Sequence, residues 1–289
     1  MTATIGLILH HRRAQAIEQA TDLVAWLESE GHKIKVPTED AEVAGLERFA
    51  VEESAFAEGL DVAVSLGGDG SILRAVELTS EFDVPLLGVN YGELGYLAAI
   101  EPADAKAAIS TFLSGEYQTE IRMMLQATVT SRADTGETAT TVHHALNEIV
   151  LERTADHNTI RLQVRIDGER FHTYPADGLI VATPTGSTAY ALSARGPVVA
   201  ATHRALLLTP VSPHMLFDRS LVLEPTSHLG LEVQGHRPAA LSVDGRKVGT
   251  LEDGDGVVCT ASPRRVRLVL DKPRNFHEVL KSKFGLSDR

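Results

Sequence analysis

Residues 60–73 read Leu-Asp-Val-Ala-Val-Ser-Leu-Gly-Gly-Asp-Gly-Ser-Ile-Leu. Leu60 to Leu66 is an apolar run of strand length that passes directly into Gly67-Gly68-Asp69-Gly70, and helical spacing follows from Ser71 to about Leu78. A strand that turns through glycines into a helix is the opening of a βαβ unit. Without Cβ atoms at Gly67, Gly68 and Gly70 the backbone can turn sharply and approach a ligand closely. The amides at the start of the following helix then favour an anion. The loop is not a Walker A motif, because the chain has no G-K-[ST]. It is not G-x-G-x-x-G either, since Leu73 stands at the last glycine position.

The same grammar extends on both sides. Ile5 to Leu9 predicts a buried strand. Arg12 to Glu30 carries Ala16, Ala20, Leu23, Val24 and Leu27 at helical spacing, with Gly31 as its stop. Ile34 to Val36 and Pro85 to Asn90 predict further strands, and Pro102 to Leu113 a helix that Gly115 ends. Alternating strands and helices predict an α/β N-terminal domain with a mostly parallel, doubly wound sheet over residues 1–116.

From about residue 117 the pattern changes. Thr119 to Thr130, Thr138 to Leu151 and Ile160 to Tyr174 are long and rich in Val, Ile and Thr. Ala133-Asp-Thr-Gly136 reads as a turn. Asp167-Gly168 and Asp244-Gly245 are two-residue hairpin signals between apolar runs. Residues 117–265 are therefore expected to form a β-rich domain, interrupted by a Gly/Thr/Ser-rich loop and a short helix. Phe276 to Phe284 predicts a terminal helix.

Lys and Arg number 27 against 39 Asp and Glu, a formal charge of −12. Proteins that grip nucleic acid or anionic lipid carry the opposite excess, so neither partner is expected. An acidic protein acting on anionic substrates needs a locally positive site built from loop amides, a few Arg or Lys and a divalent cation. The single cysteine, Cys259, excludes an intrachain disulfide and fits a buried thiol in a reducing compartment. No apolar run has the length of a signal or membrane segment, which sets the expectation of a cytoplasmic location.

Three motifs carry chemistry. In the first, Asp69 would repel phosphate, so it needs a compensating role: accepting a proton from an attacking hydroxyl, binding a metal that bridges phosphates, or capping the helix. The second is Asp177-Gly-Leu-Ile-Val-Ala-Thr-Pro-Thr-Gly-Ser-Thr-Ala-Tyr190, with Ser193 one turn later. Thr185, Ser187 and Thr188 offer hydroxyls to ribose and phosphate oxygens, or they form an elaborate N-cap with Tyr190 in the core. The third is Asn147-Glu148 on an apolar strand, facing either a site or solvent. Arg12 and Arg13 follow the first strand, as phosphate contacts or as a solvated pair. His143-His144 is no metal pair, because neighbours on a strand point to opposite faces, and no metal-ligating residues are assigned.

These motifs, in this order and spacing, resemble the NAD kinase family. Val89-Asn-Tyr-Gly-Glu-Leu-Gly-Tyr-Leu97, Arg122-Met-Met-Leu125, Val211-Ser-Pro-His214 and Asp244-Gly245 extend the similarity over residues 60 to 250. The Gly-Asp loop alone is shared with lipid kinases and phosphofructokinases; the Thr-Pro-Thr-Gly-Ser-Thr-Ala-Tyr run after Asp-Gly is the specific part. The resemblance implies transfer of the terminal phosphoryl of ATP, or of inorganic polyphosphate, to the adenosine-ribose 2′-hydroxyl of NAD. It implies Asp69 as proton acceptor, and Gly67, Gly68, Gly70, Ser71 and Arg13 around the phosphates. Asn147 and Glu148 would contact the dinucleotide, and Asp177 the nicotinamide-side ribose or carboxamide. Thr185 and Ser187 would stand with Thr188, Ala189, Tyr190 and Ser193 at the adenine and ribose pocket. Asp244 would lie near the dinucleotide across a subunit contact.

The resemblance further implies Mg2+ or Mn2+ entering with ATP, no tightly bound organic cofactor, and a homodimer or homotetramer. The chain end, residues 266–289, would pack back on the first domain, and residues 117–265 would bind the dinucleotide. The sequence departs from the family pattern at Ser71 (usually Thr), at Arg195 (usually Gly) and at Pro175-Ala176. Loss of the reaction in a dinucleotide-binding sensor and a related kinase of another substrate remain the competing readings.

Overall fold

The computed structural model describes residues 2–92, 95–97, 100–132, 138–154, 159–270 and 275–286. The turn expected at Ala133–Gly136 and, within Val89–Leu97, Glu93 and Leu94 lie outside the described residues. The chain divides into two units, Met1–Ile121 with Arg265–Arg289, and Arg122–Arg264.

In the first unit the strands are β1 (Thr4–Leu9), β2 (Lys33–Pro37), β3 (Ala50–Val51), β4 (Val62–Gly67) and β5 (Pro85–Asn90). The helices are α1 (Ala14–Ser29), α2 (Thr38–Ala44), α3 (Glu53–Phe56), α4 (Asp69–Thr79) and α5 (Ala105–Ser114). The strands pair in parallel in the order β3-β2-β1-β4-β5, the doubly wound arrangement expected. β1, β4 and β5 are buried almost throughout because helices cover both faces, which explains their unbroken apolar runs. Ala16, Ala20, Leu23, Val24 and Leu27 of α1 pack on Ile5, Leu7 and Val64 in one core. Gly31 and Gly115 take φ of +80° and +81° where α1 and α5 end, conformations other residues adopt only with strain.

α2, β3 and α3 have no counterpart in the sequence reading. Each is seven residues or fewer, too short to show a period. α4 starts at Asp69 rather than Ser71, so Asp69 belongs to the first turn and Gly68 is the N-cap, without a side-chain cap bond.

The second unit contains β6 (Gln118–Arg132, from Arg122 onward), β7 (Thr138–Ala145), β8 (Glu148–Arg153), β9 (Ile160–Ile166), β10 (Glu169–Ala176) and β11 (Gly178–Ala182). They are followed by α6 (Tyr190–Ser193), β12 (Leu206–Val211), β13 (Leu221–Leu223), β14 (Leu229–Val233), β15 (Ala239–Val243), β16 (Arg246–Leu251) and β17 (Gly256–Leu270). One antiparallel sheet runs β13-β12-β11-β8-β15-β16, and β10-β9-β14-β17 form another antiparallel set. Their inner faces share one core that includes Leu151, Leu162, Tyr174, Val181 and Cys259. The last residues of β17, in the first unit, pair in parallel with β5. α7 (Phe276–Phe284) follows, capped by the Asn275 side chain.

Both predicted hairpins form. Asp167-Gly168 and Asp244-Gly245 take the positive φ pairs (+53°, +85° and +47°, +78°) of a primed turn. The expected strand Thr138–Leu151 is instead two. The chain leaves β7 at Ala145, turns through Leu146-Asn147 and enters the other sheet as β8. The turn at Leu146-Asn147 carries neither Gly nor Pro, so no chain breaker marks the change of sheet.

Candidate active site

In a sheet ordered β3-β2-β1-β4-β5, the strand order reverses between β1 and β4. Ligands bind beyond the carboxyl ends of the two strands that flank such a point. His10–Arg13 follow β1 there and Gly68–Ser71 follow β4. Both segments line one cavity of about 600 Å3, together with Leu9, Arg74, Gly92, Gly95 and Lys283. Arg12, Arg13, Arg74 and Lys283 bring positive charge, and Asp69 is the one carboxylate among the described lining residues. A chain of charge −12 thus concentrates cations where an anion would enter.

The loop has little freedom. A side chain at Gly67 would collide with the Ser71 hydroxyl, and one at Gly95 with the Asp69 carboxylate. Gly68 and Gly70 have open space at the Cβ position, so their lack of side chains leaves the backbone bare toward the cavity. Ser71 is itself buried. Asp69 does not cap α4. Its Oδ2 accepts the Tyr96 amide at 2.7 Å and its Oδ1 the Leu97 amide at 3.0 Å. Burial first, and the Asp69 charge second, push the Tyr96 phenol pKa up. Arg13 donates to the Tyr91 carbonyl, and the Lys283 ammonium sits 5.6 Å from the centre of the Tyr96 ring.

Arg74, Lys283, His10 and His11 line this cavity, and the sequence reading did not identify them. Arg74 lies on α4 five residues after Asp69, a position that a helix drawn from the glycine loop would have flagged. Lys283 comes from the far end of the chain, and no local pattern marks it.

In the second unit, the other two motifs interlock. The Asp244 carboxylate accepts three consecutive amides, Leu146 at 2.8 Å, Asn147 at 2.7 Å and Glu148 at 3.0 Å. The Thr183 hydroxyl donates to the Leu146 carbonyl and accepts the Gly186 amide, and the Thr183 amide donates to the Asn147 carbonyl. A side chain at Gly186 would strike the Asn147 backbone. Glu148 is 5% exposed, and Oε2 has no hydrogen-bond partner among the described residues. Burial, and then the neighbouring Asp244 charge, push its pKa up to about 8, against a partial offset from the Tyr190 amide. It is a protonated carboxylic acid through the neutral range.

The hydroxyl-rich loop differs from the sequence expectation. Ser187 is fully buried; its hydroxyl serves the Pro184 and Val199 carbonyls and accepts the Val199 amide, so it braces the loop and does not face a ligand. Thr185 is buried and accepts from Arg122 at 3.3 Å, while Thr188 donates to the Thr185 carbonyl. The helix they precede, α6, is only four residues long, after a 3-10 turn at Gly186–Thr188. Tyr190 is 37% exposed rather than in the core. With Asp177, Glu152, Arg153, Ala240 and Lys247 it lines a second cavity of about 500 Å3, and Asp177 pairs with Arg153 at 3.1 Å. Ala189 is half-buried between this tyrosine and the turn, and Ser193 is exposed at the end of α6. Arg195 has φ of +64°, which explains why glycine suits that position after a helix.

Comparison with known proteins gives the same assignment at both ends of the chain. Residues 5–117 match the ATP-NAD kinase N-terminal domain and residues 146–270 the ATP-NAD kinase C-terminal domain. An NAD kinase of Moorella thermoacetica is 39% identical over 284 residues, covering 96% of this chain and 88% of the relative. The crystal structure of yeast NADH kinase complexed with NADH superposes with a TM-score of 0.92 at 25% identity, over 100% of this chain and 89% of the other. An NAD kinase from Archaeoglobus fulgidus, in complex with ATP, shares the fold at a TM-score of 0.70 and 22% identity, over 98% of this chain and 97% of the other. The chain belongs to the NAD kinase family of phosphotransferases.

Proposed function

We propose that this enzyme transfers the terminal phosphoryl of ATP to the 2′-hydroxyl of the adenosine ribose of NAD, forming NADP and ADP. The observation that carries this reading is Asp69: one carboxylate held by two backbone amides inside a cavity whose lining also includes three arginines and a lysine. Phosphoryl transfer needs positioning and charge stabilisation more than covalent chemistry. Arg12, Arg13, Arg74, Lys283 and the amides of Gly68–Ser71 would neutralise the transferring group. Asp69 would take the 2′-hydroxyl proton as the O–P bond forms and the bond to ADP breaks.

Asn147, Glu148, Asp177, Thr188, Ala189, Tyr190, Ser193 and Asp244 are the residues we give to the dinucleotide. Ser187 and Thr185 hold the loop that presents them. No group of three or more His, Cys, Asp or Glu that would cage a metal occurs among the described residues. The residues present fit Mg2+ or Mn2+ arriving on the phosphates, with Asp69 the one carboxylate among the described lining residues. When bound, such an ion would neutralise charge that develops on the transferring phosphoryl. No described helix is long and apolar enough to cross a membrane. We place the enzyme in the cytoplasm as a homodimer or homotetramer, in line with the family resemblance.

The test is NADP formation from NAD, ATP and magnesium, with Asp69→Asn alongside. Asparagine keeps one acceptor oxygen and offers its NH2 to an amide that needs an acceptor. The variant should lose at least about 10²-fold in kcat, with KM nearly unchanged, and also about 1–3 kcal/mol of stability. A large rise in KM at wild-type kcat would contradict the role of Asp69.

A further inference from the structure

Asp40 lies on α2, outside every motif, and its side chain is fully buried. Its Oδ2 accepts the Leu9 amide at 2.7 Å, at the carboxyl end of β1. Its Oδ1 accepts from His11 Nε2 at 2.6 Å and from Arg74 Nη1 at 2.6 Å. The other terminal nitrogen of Arg74, Nη2, donates to Glu53 at 2.8 Å. Leu9, His11 and Arg74 all line the cavity that contains Asp69. One carboxylate therefore ties together the segment after β1 and the helix after β4, the two walls of the switch-point crevice.

We propose that Asp40 is a positioning residue: it presents Arg74 and His11 to the phosphate chain of a nucleotide bound in this cavity. The proposal rests on the reading that the cavity takes phosphates. Two arguments support it. A buried ion pair is poor at adding stability, because desolvation offsets the attraction and an apolar replacement often does as well. A carboxylate with no exposed surface that serves two cavity-lining side chains is better explained by what it positions. Second, a long, mobile arginine that shares a cavity with a catalytic carboxylate will pair with that carboxylate unless held elsewhere. Asp40 and Glu53 hold Arg74, as the Tyr91 carbonyl holds Arg13 and the Tyr96 ring holds Lys283. The tethers keep the cations inside the cavity, where phosphate oxygens would meet them.

The experiment is a double-mutant cycle on ligand affinity. ATP with magnesium, and separately NAD, are titrated calorimetrically into the wild type, Asp40→Asn, Arg74→Ala and the double variant. Asp40→Asn and Arg74→Ala should each weaken one nucleotide about tenfold. In the Arg74→Ala background, Asp40→Asn should add less than about twofold, because a residue that acts through Arg74 has nothing left to position. The arm that weakens, ATP or NAD, identifies which phosphate chain the cavity holds. Wild-type affinity of Asp40→Asn for both nucleotides, or losses that multiply in the double variant, would overturn the proposal. If Asp40→Asn does not fold, Arg74→Lys decides. It keeps the charge but cannot span Asp40 and Glu53, so it should weaken the same nucleotide at least threefold, and unchanged affinity would overturn the proposal. Affinity is read without turnover, so absence of NADP formation by the wild type would count against the proposed reaction and not against Asp40.

Discussion

Replacing Glu148 by glutamine should turn a pH-dependent protein into a less pH-dependent one. The carboxyl is 5% exposed and stands beside Asp244, and its pKa rises from an ordinary 4.5 to about 8. The folded state therefore holds a proton that the unfolded chain gives up above about pH 4.5. Stability that is fully present below that pH is lost progressively as pH rises toward about 8. The interval from 4.5 to about 8, at about 1.4 kcal/mol per pH unit, gives an upper bound of about 5 kcal/mol. Relaxation around an ionised buried group reduces this, and we expect about 2 kcal/mol between pH 5 and 7.5. Glutamine keeps the shape, accepts the Tyr190 amide and never ionises. Urea unfolding followed by circular dichroism would be run on both proteins across this range. The glutamine variant should gain on the wild type steadily as pH rises, since every other titrating group is common to the pair and cancels. Parallel stability curves would refute the argument and place the Glu148 pKa near its ordinary value.

Arg195→Gly should stabilise the protein by about 1 kcal/mol, because a left-handed conformation costs an L-residue about 1–2 kcal/mol and the extra freedom of unfolded glycine returns part of that. The check is a melting temperature higher by about 2–4 °C, with unchanged NADP formation excluding a phosphate contact by Arg195. Gly186→Ala should cost at least about 2 kcal/mol, read from the urea midpoint. Its Cβ would sit 2.8 Å from the Asn147 Cα and 2.5 Å from its carbonyl carbon, both backbone atoms that cannot move aside. Chelation with EDTA should abolish turnover and added magnesium restore it, with the far-ultraviolet spectrum unchanged, because no cluster of metal-ligating side chains among the described residues depends on the ion to fold.

The α/β half was legible because its signals are local. A period of 3.6 in Ala16 to Leu27, glycines at the ends of α1 and α5 and an apolar run for each covered strand are enough to order β1, β4 and β5. The hairpins at Asp167 and Asp244 were legible for the same reason. What escaped was whatever has no period. α2, β3 and α3 are too short, and the passage from β7 to β8 changes sheets through a turn that carries neither Gly nor Pro. The site was legible as motifs but not as a division of labour among hydroxyls. Thr185, Ser187 and Thr188 look alike in sequence, and only their surroundings reveal that Ser187 serves the backbone at Val199.

The acids make the reason for that limit plain. Asp69 holds amides 27 and 28 positions away, Asp244 holds amides 96 to 98 positions away, and Asp40 holds one 31 positions away. Each carboxylate satisfies backbone donors that a loop would otherwise leave buried and unpaired. In doing so it fixes the loop that carries the candidate ligand contacts. A residue with both tasks cannot be assigned from the loss of activity on its replacement, since a misplaced loop and a missing acid both slow the reaction. The two tasks separate only when the replacement keeps one of them. A glutamine at 148 keeps the shape and removes the charge, and an asparagine at 40 tested without Arg74 removes the tether after its object is gone. In this fold the Tyr96-Leu97 segment and the Leu146–Glu148 turn are as much products of distant aspartates as of their own sequences.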